Sequence, residues 1–144
     1  MQLPKLNFSA EFDFQIRQDK DKFFIYDLVR KSWILLTPEE WVRQHFVHYY
    51  HVVMKRNLSS LILEKKIEIN GTTKRIDLLV TEKTTPKILV ESKAPNIKLT
   101  EKTFEQIARY NSVISAEEIV LSNGIQHIFA KFVGNSYKFF NKDF

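Results

Sequence analysis

Asp77 and the run Glu91-Ser92-Lys93 are the residues best suited to chemistry in this chain. Residues two apart on a strand project from one face, so Glu91 and Lys93 point together. Asp77 lies on the preceding predicted strand, and a short connection makes consecutive strands neighbours in a sheet. Two carboxylates and an ammonium then converge. Oxygen donors of this kind suit a hard cation such as Mg2+ (or Mn2+), which keeps several of its waters. Such an ion polarises a phosphodiester and acidifies a bound water, while Lys93 orients that water or offsets developing charge. The plainer alternative is a solvated sheet face with cross-strand ion pairs. The flanks argue against it, because Asp77 sits in Ile76-Asp77-Leu78-Leu79-Val80 and Glu91 follows Ile88-Leu89-Val90. Runs apolar on both faces belong to strands covered on both sides, where a charge is costly unless paired or metal-bound. On residue chemistry alone, a metal site and a structural ion pair both stay open.

The elements that must position these groups follow from turn and cap signals. Asn70-Gly71, Asn123-Gly124 and Gly134-Asn135 each separate β-like runs, which predicts three hairpins. They join Leu61–Ile69 to Lys74–Val80, Glu118–Ser122 to Gln126–Val133, and that strand to Tyr137–Phe140. Another strand, Lys87–Lys93, follows a break at Thr84-Thr85-Pro86. Thr37-Pro38-Glu39-Glu40 is a predicted capping box with proline at the first helical position. The helix it opens runs to about Lys55, with Trp41, Val42, Phe46, Tyr49 and Val53 along one stripe. A second helix runs from about Leu99-Thr100 to Ser115, with Phe104, Ile107, Ala108, Asn111 and Ile114 at helical spacing. Phe12–Ile16, Lys22–Tyr26 and Ser32–Leu36 are strand-like. The expected architecture is α/β, a mixed central sheet flanked by helices. One domain is expected over residues 1–144, with an N-terminal β element at 1–36 and the main unit at 37–144.

Composition removes several classes of function. The chain has 144 residues, no Cys and three Gly, so disulfides, thiolate catalysis and Cys-ligated metals are out of reach. A glycine-rich phosphate loop cannot be assembled from those three glycines, which excludes a nucleotide-driven motor within this sequence. No apolar run approaches the ~20 residues of a membrane span, and no secretory pattern opens the chain, so a cytoplasmic protein with no membrane partner is expected. Twenty-two Lys+Arg against seventeen Asp+Glu give +5, an excess compatible with phosphates. Lys65-Lys66, Lys74-Arg75, Lys83, Lys87, Lys98 and Lys102 cluster in sequence around the acids and suit a phosphate backbone.

Asp77 followed by Glu91-x-Lys93 on a predicted hairpin resembles the PD-(D/E)xK nuclease superfamily, with Ile76 where proline often stands. Gln106-Ile-Ala-Arg-Tyr110 resembles the Gln-x-x-x-Tyr pattern of some branches. Glu64, the Arg75-Ile76-Asp77 context, Glu91-Ser-Lys-Ala-Pro95 and the segment Leu36–Phe46 resemble the N-terminal nuclease domain of type I restriction enzyme R subunits, in a stand-alone form. The resemblance implies a restriction-endonuclease-like core and Mg2+- or Mn2+-dependent hydrolysis of DNA. It implies that Asp77 and Glu91 bind the ion, helped by the Ser92 carbonyl, and that Lys93 serves the nucleophile or transition state. Gln106 and Tyr110 would face the site, with Glu64 and Arg75 in support. It also offers an acid from the first helix near the metal; Glu40 is the candidate, although the capping box already explains it. Glu64 could equally pair with Lys74 or Arg75 across its hairpin. Partners implied are DNA and other restriction-modification subunits. A non-catalytic nucleic-acid-binding or protein-interaction module that keeps the fold is the alternative.

His45, His48 and His51 recur at three-residue spacing on the first helix. They favour a polar helix edge over a transition-metal site. His127 fits a packed or partly exposed ring, and the 12 Phe fit core packing better than base stacking.

Overall fold

The computed structural model describes residues 3–144. Its elements follow the expected order. Strands β1 (Ile16–Asp19), β2 (Lys22–Asp27) and β3 (Ser32–Leu35) form a three-stranded antiparallel sheet. Helix α1 (Pro38–His48) follows and widens into a π turn at Tyr49–Val53. Then come β4 (Leu61–Ile69), β5 (Thr72–Glu82), β6 (Thr85–Ser92), helix α2 (Glu101–Ile114), β7 (Glu118–Ser122), β8 (His127–Val133) and β9 (Ser136–Phe140). These six strands form one mixed sheet in sequence order, antiparallel except where β6 pairs with β7. A parallel pair needs a crossover, and α2 supplies it.

Caps explain where the helices begin. Thr37 Oγ1 accepts from the Glu40 amide at 3.0 Å. Glu40 does not return the bond, so the capping box expected from Thr37-x-x-Glu40 is only half made, and its carboxylate is spent elsewhere. Helix α2 has the reciprocal arrangement, with Thr100 and Thr103 capping one another. At its end Ser115 turns left-handed (φ 61°), and the Asn111 side chain holds both backbone groups of Ala116.

The glycine turns fall where the spacing predicts them, with left-handed φ at Asn70, Gly71, Gly124 and Gly134. The β5–β6 turn carried no such signal. Lys83 and Thr84 adopt φ of 50° and 66° themselves, so β6 begins at Thr85 rather than Lys87. Pro86 lies inside the strand, opposite Thr81, at a register shift after Val80. A bulge tolerates proline because the ladder is already interrupted there.

The sheet carries an apolar layer on each face. On one side α1 contributes Val42 and Phe46 over Leu78, Val80, Val90 and Val120, joined by Leu6 and Phe8. On the other, Ile107 of α2 covers Ile76, Leu79, Leu89 and Ile119. Two details of the α1 side differ from the sequence reading. Val53 is exposed rather than in the buried stripe. The Phe12–Phe14 segment is not a strand; Phe14 packs on Trp41, His45 and His48 at 4.5–4.8 Å between ring centroids. His45 and His48 are therefore buried among aromatics, not on a polar edge, and each ring bonds the carbonyl four residues earlier.

Candidate active site

Strand β5 breaks its own alternation at the proposed site. Ile76 and Leu79 both enter the α2-side core, while Leu78 enters the α1-side core. Two residues, Asp77 and Leu78, lie between this same-face pair, where regular alternation would place only one. The side chain of Asp77 reaches Arg43 of α1. Glu64 lies opposite this kink on β4 and takes a left-handed φ of 58°. The ladder between β5 and β6 ends at Leu78–Val90, just before Asp77 and Glu91. Beyond that point the Ser92 amide donates to Asp77 Oδ2 at 2.7 Å, a side chain standing in for the missing backbone partner.

Asp77 and Glu91 are both buried, and their carboxyls are close enough to hydrogen-bond. The Glu91 pKa is pushed up to about 10, first by burial, then by the charge and hydrogen bond of Asp77, with Lys93 pulling the other way. Lys93 is half-buried just past the end of β6, where its amide still pairs with the Ser122 carbonyl. Among the described residues it forms no ion pair, so its ammonium is held near the acids without being committed to either.

The two acids of the first helical turn have separate roles. Glu40 is buried and accepts two bonds from Arg43, at 2.7 and 3.1 Å, as well as bonds from Arg30 and Gln44. Burial alone would raise its pKa, but those donors hold it below its ordinary value. Glu40 is thus not an acid aimed at the Asp77–Glu91 pair. Glu39 is exposed at the mouth of the site; partial burial and then Asp77 raise its pKa, against Lys93 and Arg43. Glu39, rather than Glu40, is the helix acid facing the carboxylate pair.

Arg43 was not visible as a site residue in the sequence. Its Nη1 donates to Glu64 at 2.6 Å and, at a longer 3.5 Å, to Asp77. Glu64 pairs with Arg43, then, and not with Lys74 or Arg75. Burial would lower the Arg43 pKa, but Glu40, Asp77 and Glu64 together hold it above its ordinary value. The signal that could have found it was the Arg at i+3 from Glu40, a helical pair on an otherwise buried face.

Gln106 donates to the Tyr110 hydroxyl at 2.9 Å. That pair lines a small cavity with Ile69, Asn70, Thr72, Lys74 and Arg109, at the tip of the β4–β5 hairpin. No bond joins it to Asp77, Glu91 or Lys93 among the described residues. Arg75 is exposed opposite Lys66, and it too is outside the carboxylate cluster. The basic residues divide between the two ends of the sheet. Lys65, Lys66, Lys74 and Arg75 flank Asp77, whereas Lys83 lies at the far turn, about 20 Å along the strand. Lys87 is also near that end and pairs with Glu117 at 2.6 Å.

The donor set fits a divalent cation of the Mg2+ type. Two adjacent carboxylates sharing one proton can exchange it for an ion, and Mg2+ binds through one or two carboxylates with the rest of its shell water. Among the described residues no three His, Cys, Asp or Glu side chains converge as a ready-made metal cage. No helix of the described residues is long and apolar enough to cross a membrane. The sequence model of one family, described as type I restriction enzyme R protein N terminus (HSDR_N), matches residues 38–142. No curated protein and no solved structure matches the chain. The matched span contains Glu39, Arg43, Asp77, Glu91 and Lys93, while the three-stranded sheet precedes it.

Proposed function

Since this chain belongs to the family of type I restriction enzyme R protein N termini, we propose that it is a nuclease domain hydrolysing DNA phosphodiesters with Mg2+ or Mn2+. The observation that carries the proposal is the buried Asp77–Glu91 pair where the β5–β6 ladder ends, with Lys93 uncommitted beside it. Asp77 and Glu91 would hold the ion, with the Ser92 carbonyl as the backbone group to join them. The bound ion supplies Lewis-acid polarisation and a more acidic water. Lys93 contributes a positive charge at the mouth, where it orients the attacking water or offsets charge on the phosphate. Glu39 on the rim is placed to accept a proton from a group entering the mouth. Lys66 and Arg75, paired across the adjoining hairpin and exposed, give the DNA backbone a basic landing surface. DNA is the partner this reading requires, and other restriction-modification subunits are the partners that family membership suggests.

The competing reading is a nucleic-acid-binding or interaction module that keeps the fold without turnover. Cleavage of supercoiled DNA in Mg2+ and Mn2+ by the purified protein separates the two. Nicking or cutting is expected for the wild type and should vanish in Asp77→Asn and Lys93→Ala. Equal cleavage by all three would identify a contaminant and end the nuclease proposal. Salt-sensitive DNA binding with no cleavage under any metal would favour the module.

A further inference from the structure

A continuous chain of buried or half-buried charges runs from the N-terminal sheet to the carboxylate pair. It starts at Asp27, at the end of β2, whose carboxylate is fully buried. Asp27 accepts from the amides of Val29 and Arg30, which folds the β2–β3 connection into a tight turn. The same carboxylate takes Arg30 Nε at 2.6 Å and Gln44 Nε2 at 3.0 Å. Arg30 then reaches across to both oxygens of Glu40, at 3.1 and 3.2 Å. Glu40 clamps Arg43 through two nearly parallel bonds, and Arg43 ends on Glu64 and Asp77. Each guanidinium in this chain bridges acids from different elements. A planar, fork-shaped donor can do this; an ammonium, a single point of charge, cannot hold the same set.

We propose that Arg43 is a positioning residue for Asp77, and that Arg30 fixes Arg43 through Glu40, so that the N-terminal sheet is a working part of the active site. The inference rests on the metal-dependent reading above but concerns residues that reading leaves without a role. Asp77 sits on a kinked stretch of β5 where regular pairing with β6 has stopped. Its rotamer is therefore fixed by what its own carboxylate accepts, namely the Ser92 backbone amide on one oxygen at 2.7 Å and the Arg43 guanidinium on the other at 3.5 Å. Groups behind a metal-ligating carboxylate set its orientation, and their loss typically costs about 10–100-fold in metal affinity or activity. Arg30 and Asp27 lie before residue 38, so the buttress draws on residues outside the span that the family model matches.

The Ser92 amide reports on Asp77 without any metal. In 15N-labelled full-length protein, Arg43→Gln and Arg30→Gln are expected to speed Ser92 amide exchange about tenfold more than that of Leu89 and Val90. Mn2+ titration by calorimetry should show affinity weakened by about 10–100-fold in Arg43→Gln, and Arg43→Lys should fail to restore it. Arg30 keeps 26% of its side chain exposed, so Arg30→Gln is expected to stay folded and gives the Ser92 readout even if the Arg43 variants unfold. Ser92 exchanging in step with Leu89 and Val90 would overturn the proposal, as would Mn2+ affinity within about twofold of wild type. A wild type that takes up no Mn2+ while Ser92 is selectively loosened would sink the nuclease reading and leave the positioning of Asp77 intact.

Discussion

Glu39 and Glu40 are neighbours in sequence and opposites in environment. A helix turns about 100° per residue, so one carboxylate faces the cleft while the next points under the helix. The sequence shows two acids in a first helical turn, a common preference at the positive end of the helix dipole. It does not show which of them the sheet lies beneath. Glu40 was the candidate because the family resemblance implies an acid from the first helix, with the capping box as its rival explanation, and the structure spends its carboxylate on Arg43 and Arg30 instead. The consequence can be measured. Glu39→Gln should leave the melting temperature near wild type and lower metal-dependent cleavage about tenfold or more, as for other positioned acids or bases. Glu40→Gln should cost about 3–5 kcal/mol in urea unfolding, because two guanidiniums lose the acid that neutralises them. The reverse pattern would return the role to Glu40. Asp77, Glu91 and Lys93 were legible for a different reason: charges inside apolar strands are rare enough to stand out in one sequence. Arg43 was not, since an arginine on a helix is ordinary until its surroundings are known.

At the scale of elements, turn chemistry was readable where Asn or Gly supplied the left-handed residues and unreadable where Lys83 and Thr84 adopted them. The kink of β5 was hidden as well, because Ile76-Asp77-Leu78-Leu79-Val80 reads as an unbroken buried strand and no sequence rule marks which face Asp77 takes. Helix α1 gives the sharpest lesson. Its histidines look like a polar edge by spacing, yet the Phe8–Phe14 segment folds over them and removes the water. Burial lowers the His45 pKa from 6.5 to about 4, despite the bond to the Trp41 carbonyl, which pulls upward. In the unfolded chain this ring takes its proton below about 6.5, whereas in the folded protein it stays neutral until about 4. The unfolded state thus binds more protons in that window, and stability must fall as pH drops through it. The full contribution is about 3 kcal/mol, present above pH 6.5 and lost on the way down to 4. Urea unfolding across the window should show a shallower pH dependence in His45→Leu than in wild type, by up to one proton. Parallel slopes would mean that the ring titrates normally and is more open than its packing indicates.

For the molecule as a whole, the N-terminal segment is bound to the larger unit by more than the charged chain through Arg30. Leu6 and Phe8 are core residues, Asn7 and Ser9 donate to the carbonyls of Gly124 and Phe144, and Trp41 Nε1 bonds the Pro4 carbonyl. The seam passes through Gly124, in the β7–β8 turn. Its φ of +87° is left-handed, and a Cβ there would stand 2.8 Å from Leu6 Cδ2 and 3.1 Å from Val42 Cγ2. The sequence accounted for Gly124 by turn geometry alone, and the second requirement comes from Leu6 and Val42, both far away along the chain. Two costs therefore add in Gly124→Ala, backbone strain of about 1–3 kcal/mol and a clash at the seam. They can be separated, because Leu6→Ala removes the clashing methyls and leaves the strain. Leu6→Ala alone should lose about 2–5 kcal/mol as a buried leucine. If the seam is a packed interface, Leu6→Ala with Gly124→Ala should be less destabilising than the sum of the two, by about 0.5–3 kcal/mol of coupling. Strict additivity in urea unfolding would mean that Gly124 answers only to its turn and that the N-terminal segment rests more loosely on the sheet.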